Sequence, residues 1–324
     1  MNNIYNQLNK PFTVLAPLDD VSDVVFRQVI SECAKPDLFF TEFVNVDGLQ
    51  SAGRDKLLHK LWKTDSDNPI IAQIWGMTPD NYLKTAQDLV KMGFAGIDIN
   101  MGCPDKAVIK NGCCIALINN RELAKQIIDA TKAGAAGKLP VSVKTRLGFN
   151  EIDLSWHEFL LNQKLDALYI HGRTKKEMSL VPAHWEVINQ IRIMRDKISP
   201  ETKIIGNGDI KNRQEALEYA KKYKLDGIMI GRGIFDNPYA FSDDTNQWSV
   251  KSSVEKVALY KKQVELFNAT YQNKERNFST LKRFAKVYIN NFNGANSLRE
   301  KVVSQKTITD LILVLNDWQE SPNL

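Results

Sequence analysis

Eight short apolar runs, each bounded by Pro, Gly or Asp and followed by a segment of helical character, constrain this chain more than any other feature. They fall at residues 13–17, 38–43, 70–75, 96–101, 141–146, 167–171, 203–206 and 227–230. Most read as buried on both faces, as parallel strands under helices are. Between them, residues 79–92, 121–133 and 213–223 have helical spacing with charge on the exposed side. Thr78-Pro79 and Asn119-Asn120 read as helix starts, with Pro79 suited to a first turn. The alternation fits an α/β fold, a (β/α)8 TIM barrel, which takes about 250 residues. A doubly wound open sheet shares the alternation and stays a rival, because alternation alone does not show closure.

After residue 241 the pattern changes. Residues 242–249 (SDDTNQWS) are polar and turn-rich, and from 250 onward the spacing is helical with no further strand-like run. The expected division is a barrel over 1–241 and a small all-helical domain over 250–324. One helix is expected over 281–292, with Leu281, Phe284, Val287, Tyr288 and Ile289 apolar, and another over 307–315. Basic charge gathers there: 12 Lys and Arg against four Glu between 251 and 306, beside Phe278, Phe284, Tyr288 and Phe292. With a net charge of +5, this points to a polyanionic partner, nucleic acid in particular. Residues 1–12 hold no signal-peptide run, and no stretch nears the roughly 18 apolar residues of a membrane span, so a cytoplasmic protein without membrane association is expected.

Cys33, Cys103, Cys113 and Cys114 have neither a disulfide-framework nor a paired C-x-x-C spacing, and adjacent Cys113 and Cys114 read as small packed side chains. The four histidines (59, 157, 171, 184) form no H-x-x-x-H pair, so no metal site is expected.

In a barrel, chemistry gathers at the C-terminal strand ends. Here those ends read Leu15-Ala-Pro-Leu-Asp-Asp20, Thr41-Glu-Phe43, Gln73-Ile-Trp-Gly76, Asp98-Ile-Asn-Met-Gly-Cys-Pro104, Val143-Lys-Thr-Arg146, His171-Gly-Arg-Thr174, Gly206-Asn-Gly-Asp209 and Gly231-Arg-Gly233. The last two are glycine-rich and consecutive, a recurrent phosphate site in which glycines free backbone N–H groups and Arg232 adds charge. Lys144 sits in a β-rich apolar run, where a lysine is costly unless it is paired or faces the mouth. A cation there would stabilise an anionic reduced flavin, and Gln73 would bond the same ring edge. Cys103 lies in a Gly-Cys-Pro turn, exposed and stiff. Its ordinary thiol pKa of about 8.5 leaves it protonated at neutral pH, fit to act as an acid.

These strings, in this order, resemble the tRNA-dihydrouridine synthase family over residues 13 to about 240, and more loosely through 283–288. The most specific segment is Ile97-Asp-Ile-Asn-Met-Gly-Cys-Pro104. The resemblance implies FMN as cofactor, NADPH as hydride donor and tRNA as substrate, with uridines of the D-loop as targets. It assigns Ala16, Pro17 and Leu18 to the flavin ring, with Gln73 and Lys144 as ring-binding side chains and His171 near flavin and uracil. Asn207, Gly208, Asp209, Gly231 and Arg232 would hold the ribityl phosphate. Cys103 would be the general acid, protonating C5 of uracil after hydride reaches C6, and Asn100 would face the target uridine. Lys282, Arg283 and Lys286 would meet tRNA phosphates, with Lys282 and Lys286 on a common helix face.

Two departures stand out. Asp20 occupies a position where many members have glycine, and Cys113-Cys114 replace small glycines. Two rivals remain: an FMN barrel dehydrogenase of a free pyrimidine, against which the basic helical tail argues, and a non-catalytic tRNA-binding protein, against which Cys103, Lys144 and the phosphate loops argue.

Overall fold

The computed structural model describes residues 3–320. A turn of 3-10 helix (Ile4–Asn6) leads into β1 (Phe12–Leu15), α1 (Val24–Ala34), β2 (Phe39–Asn45), the one-turn α2 (Val46–Leu49), β3 (Ile70–Trp75), α3 (Pro79–Lys91) and β4 (Gly96–Met101). The chain continues through α4 (Lys106–Lys110), α5 (Arg121–Ala135), β5 (Val141–Arg146), α6 (Leu154–Asn162) and β6 (Ala167–His171). Then come α7 (Trp185–Ile198), β7 (Lys203–Asn207), α8 (Arg213–Tyr223) and β8 (Gly227–Ile230). Helices α9 (Ser253–Thr270), α10 (Ser279–Lys282), α11 (Ala285–Tyr288), α12 (Ala295–Ser304) and α13 (Ile308–Glu320) follow.

All eight strands pair in parallel, each with its sequence neighbour, and β1 pairs with β8. Closure comes from a parallel bridge between Val14 and Leu38, with Leu15 N–H donating to Leu38 O at 3.1 Å and Leu38 N–H to Thr13 O at 3.2 Å. The sheet therefore curls on itself, and the open doubly wound alternative is excluded. Parallel strands need crossover helices, and these cover the outer face, so both faces are buried. The lower interior is plugged by Tyr5, Phe12, Val14, Phe40, Ile71, Tyr169, Ile205 and Met229. Tyr5, from the N-terminal turn, meets Tyr169 there at 3.1 Å between hydroxyls.

Local chemistry explains the helix bounds. In α3, Pro79 occupies the first turn, where its missing N–H costs nothing, although the Thr78 side chain makes no capping bond. Tyr82, Thr85, Ala86 and Leu89 form its inward stripe. In α5 the Asn120 side chain accepts from Leu123 N–H at 3.1 Å. These two helices pack so closely that a β-carbon at Gly134 would lie 2.2 Å from Leu83 O. Among the described residues no helix is long and apolar enough to cross a membrane.

The helix expected over 281–292 is broken. Residues 279–282 and 285–288 form single turns, and Phe284 N–H bonds Leu281 O, an i−3 contact at 3.0 Å. Phe284 stacks on Phe26 of α1, ring centroids 5.2 Å apart. Tertiary burial of that ring overrides the continuous helical period.

Candidate active site

Register explains which side chains meet at the mouth. Gln73 on β3 is level with Asp98 on β4, which is level with Ser142 on β5. Two residues further along, Asn100 is level with Lys144, and Arg146 is level with His171, itself level with Asn207. A period of two puts all of these on the inner face.

The first layer is hydrogen-bonded throughout. Ser142 Oγ donates to Asp98 at 2.6 Å, and Gln73 Nε2 donates to the other Asp98 oxygen at 2.7 Å. Asn100 Nδ2 donates to Gln73 Oε1 at 3.0 Å, while Asn100 Oδ1 accepts the N–H groups of Gly102 and Cys103, both at 3.0 Å. Asn100 therefore shapes the turn that carries Cys103. Burial pushes the Asp98 carboxyl up to about 7, against the lowering effects of Ser142, Gln73 and Lys144. Lys144 is half-buried with no hydrogen bond or ion pair among the described residues, and burial, with Arg146 nearby, brings its ammonium down to about 8.

His171 is held neutral: burial, then the cations Arg146, Lys144, Arg173 and Arg232, push its pKa well below the ordinary value. Arg173 Nη1 lies 3.3 Å from His171 Nε2. A guanidinium only donates, so Nε2 accepts and the ring proton sits on Nδ1. Arg173 also grips both Asp209 oxygens at 2.5 Å, and Ala183 N–H adds a bond at 2.8 Å. The Asp209 carboxylate is thus spent on shaping its loop, leaving its backbone for a ligand. The Asn207 side chain is similarly committed, donating to Met229 O at 2.8 Å and tying β7 to β8.

The two glycine-rich loops open onto this space. Gly208 has φ +139, and a β-carbon there would come within 2.7 Å of the Ala183 β-carbon. At Gly231 a β-carbon would have nothing nearer than 3.8 Å. The N–H groups of Gly208, Asp209, Arg232 and Gly233 donate to no protein group among the described residues. Arg232 is exposed, with no ion pair among them.

All of Ala16, Pro17, Leu18, Gln73, Asn100, Cys103, Lys144, His171, Asn207, Gly208, Asp209, Gly231 and Arg232 line one cavity of about 720 Å³. Cys103 is half-buried; burial raises its thiol pKa, with the Asp105 backbone N–H opposing. Neither Cys113 nor Cys114 lines the cavity.

A family model described as "Dihydrouridine synthase (Dus)" matches residues 14–317. A probable tRNA-dihydrouridine synthase of Staphylococcus aureus (strain Mu50) is 43% identical over 98% of this chain and 96% of its own length. Probable tRNA-dihydrouridine synthase 2 of Bacillus subtilis (strain 168) is 42% identical over 98% of this chain and 97% of its own.

This chain belongs to the dihydrouridine synthase family.

Solved structures share its fold at low identity. Histamine dehydrogenase from Rhizobium sp. 4-9 superposes with a TM-score of 0.54 at 12% identity, over 82% of this chain and 51% of that one. Morphinone reductase gives a TM-score of 0.52 at 12% identity, over 71% of this chain and 84% of that one.

Within this dihydrouridine synthase frame, the two departures acquire a physical meaning. Asp20 has φ +57 and Cys114 has φ +54, backbone conformations that glycine adopts without strain. At Asp20 the carboxylate meets Arg276 at 3.3 Å and Arg283 at 3.7 Å. Cys113 has φ −92, and both cysteines are buried, as expected of packed side chains. Cys114 does lie in electrostatic reach of Cys103, and burial holds its thiol well above the ordinary pKa.

Several site residues escaped the sequence reading. Arg146 donates to Gly102 O at 3.0 Å and to Thr174 O at 3.2 Å, clamping the Cys103 turn against the loop after β6. Its position at a strand end was the available signal, as it was for Arg173. Lys211 and Phe235 also line the cavity, each two residues past one of the glycine-rich loops.

Phe235 and Asp236 are shared with a second groove, of about 1370 Å³, against the helical region. Lys256, Arg283, Lys286 and Arg299 line it, with Asn290, Asn291, Asn293 and Asn296. Lys282 does not: its ammonium donates to Val303 O at 2.7 Å and lies over the Phe278 ring. The broken helix thus puts Arg283 and Lys286 together, where the sequence pairs Lys282 with Lys286.

Proposed function

We propose that this protein is an FMN-dependent, NADPH-driven tRNA-dihydrouridine synthase of the cytoplasm, reducing the 5,6 double bond of uridines, those of the D-loop in particular. The barrel over 1–241 is the catalytic unit, and the helical region over 250–324 grips tRNA. One observation carries the reading. Cys103, Lys144, His171 and the two glycine loops converge on a single cavity, and that cavity shares Phe235 and Asp236 with a groove lined by Lys256, Arg283, Lys286 and Arg299.

The residues fit FMN. Uncommitted amides beside Gly208 and Arg232, and an unpaired guanidinium, suit a phosphate dianion. Gln73 and Lys144 would hold the pyrimidine edge of the ring, Ala16 to Leu18 would support its face, and bound FMN, reduced by NADPH, supplies hydride to C6 of uracil. Cys103, kept protonated by burial, delivers its proton to C5. His171 offers the Nδ1 proton as a neutral donor toward the uracil, without competing as an acid. Asn100, which lines the cavity and fixes the Cys103 turn, would face the target uridine. Extruding the uridine from folded tRNA costs a few kcal/mol, which phosphate contacts in the groove offset.

The purified protein should be yellow and release FMN on denaturation. Anaerobically, with NADPH, it should convert uridine to dihydrouridine in unmodified tRNA and leave free uracil, uridine and dihydroorotate unchanged. Turnover of a free pyrimidine at comparable rate would replace this reading with a small-molecule dehydrogenase. A colourless protein that binds tRNA would replace it with a binding protein.

A further inference from the structure

Asp98 is buried inside the barrel, beneath the cavity, and the reaction scheme above gives it no role. Its Oδ2 begins a continuous chain of hydrogen bonds running Asp98, Gln73, Asn100, then the backbone N–H groups of Gly102 and Cys103. The direction of this chain is fixed from both ends. Backbone N–H groups only donate, so Asn100 must present Oδ1 to them and point Nδ2 at Gln73. Gln73 must then accept with Oε1 and donate through Nε2, and an acceptor must stand beyond it. Asp98 Oδ2, an acceptor oxygen, meets that demand, and Ser142 Oγ bonds the other oxygen at 2.6 Å. A buried network satisfied in every member holds a single geometry.

We propose that Asp98 is a positioning residue that sets the Gln73 amide and, through Asn100, the Cys103 turn as one unit. Register supports this, because Asp98 and Asn100 lie two residues apart on the inner face of β4, between Gln73 and Lys144. The inference rests on the reading of Gln73 as a flavin ligand and Cys103 as the acid, but the relay itself can be tested without turnover.

The test is backbone amide hydrogen exchange in the full-length protein, read at Gly102 and Cys103, with FMN dissociation measured in parallel. Asp98→Ala and Gln73→Ala should each speed exchange at both amides by tenfold or more, although neither residue touches them directly, and should speed FMN loss. Asp98→Asn should restore protection, since its carbonyl can accept from Gln73 while its amide donates to Ser142 Oγ. Lys144→Met, in the same cavity but outside the relay, should leave both amides at the wild-type rate. Wild-type exchange at Gly102 and Cys103 in Gln73→Ala would overturn the proposal, and that variant carries the test if Asp98→Ala fails to fold. Uniformly faster exchange across the barrel, or an Asp98→Asn as loose as the alanine, would also overturn it. Failure of dihydrouridine formation with the exchange pattern intact would instead remove the functional reading and leave the relay standing.

Discussion

At the scale of single residues, three thiols compete for one role, and geometry separates them. Cys103 lines the cavity on a turn clamped by Asn100 and Arg146, while Cys113 and Cys114 are packed behind it. Cys103→Ala should therefore keep its flavin spectrum and its NADPH oxidation yet lose dihydrouridine formation by about 10²- to 10⁴-fold, the usual weight of a general acid. Cys114→Gly should lose little, and its left-handed backbone favours the glycine. Single-turnover rates on tRNA check both, and a crippled Cys114→Gly beside an active Cys103→Ala would reverse the assignment. Lys144 sets a pH limit. Its pKa in the free protein is brought down to about 8 by burial, then by Arg146. Below that pH the ammonium is present to meet anionic reduced flavin, and above it the free site has lost the charge. Affinity for reduced FMN should thus be level below about pH 8, then fall up to about tenfold per unit as pH rises. Lys144→Met should bind more weakly at neutral pH and show no such bend. Anaerobic titrations between pH 6 and 9.5 read both.

At the scale of elements, the strands were the most legible part of the sequence. Residues 70–75, 96–101, 141–146, 167–171 and 227–230 have in the structure the bounds their apolar runs imply. The reason is physical: a strand buried on both faces leaves no alternation to misread, and glycine or proline ends it sharply. The cavity-lining residues followed, because strand ends of a barrel converge by construction. What stayed hidden were contacts that only the third dimension supplies. Asp209 reads as a phosphate ligand, but its side chain belongs to Arg173, 36 residues earlier. Arg276 reads as one of many basic residues, yet it is buried and pairs with Glu42 at 2.8 Å, across a separation of 234 residues. The β7–α8 loop yields a direct test. With φ +139 and only 2.7 Å to the Ala183 β-carbon, Gly208 cannot accept a side chain without moving the loop. Gly208→Ala should raise the dissociation constant of FMN at least tenfold. Gly93→Ala, also at positive φ but with nothing within 4 Å, should cost some stability and no flavin affinity. Fluorescence titration of the two variants distinguishes a cradle from a mere turn.

At the scale of the whole molecule, the helical region is tied to the barrel by charge as well as by packing. Arg276 reaches Glu42, Asp23 and Asp20, and Lys262 pairs with Glu32. Phe284 on Phe26 seals the same seam. A basic residue engaged this way is not free for a polyanion, so the count of lysines and arginines overstates the positive surface left open. The broken helix sorts the three basic residues singled out from the sequence. Arg283 and Lys286 line the groove, and Arg283 stays half-exposed despite its contact with Asp20. Lys282 instead caps the end of α12 through Val303 O. Phosphate contacts release counterions, so each one lost should flatten the dependence of log affinity on log salt by about 0.7 to 0.9. Arg283→Gln with Lys286→Gln should therefore weaken tRNA binding broadly, with a shallower salt slope and no change in flavin content. Lys282→Gln should leave the slope unchanged and instead lower the melting temperature, because it removes a bond within the helical region. Binding isotherms between 50 and 300 mM salt separate the two outcomes. A slope that responds to Lys282 and not to Arg283 and Lys286 would mean that tRNA lies across α12 rather than in the groove beside the Cys103 cavity.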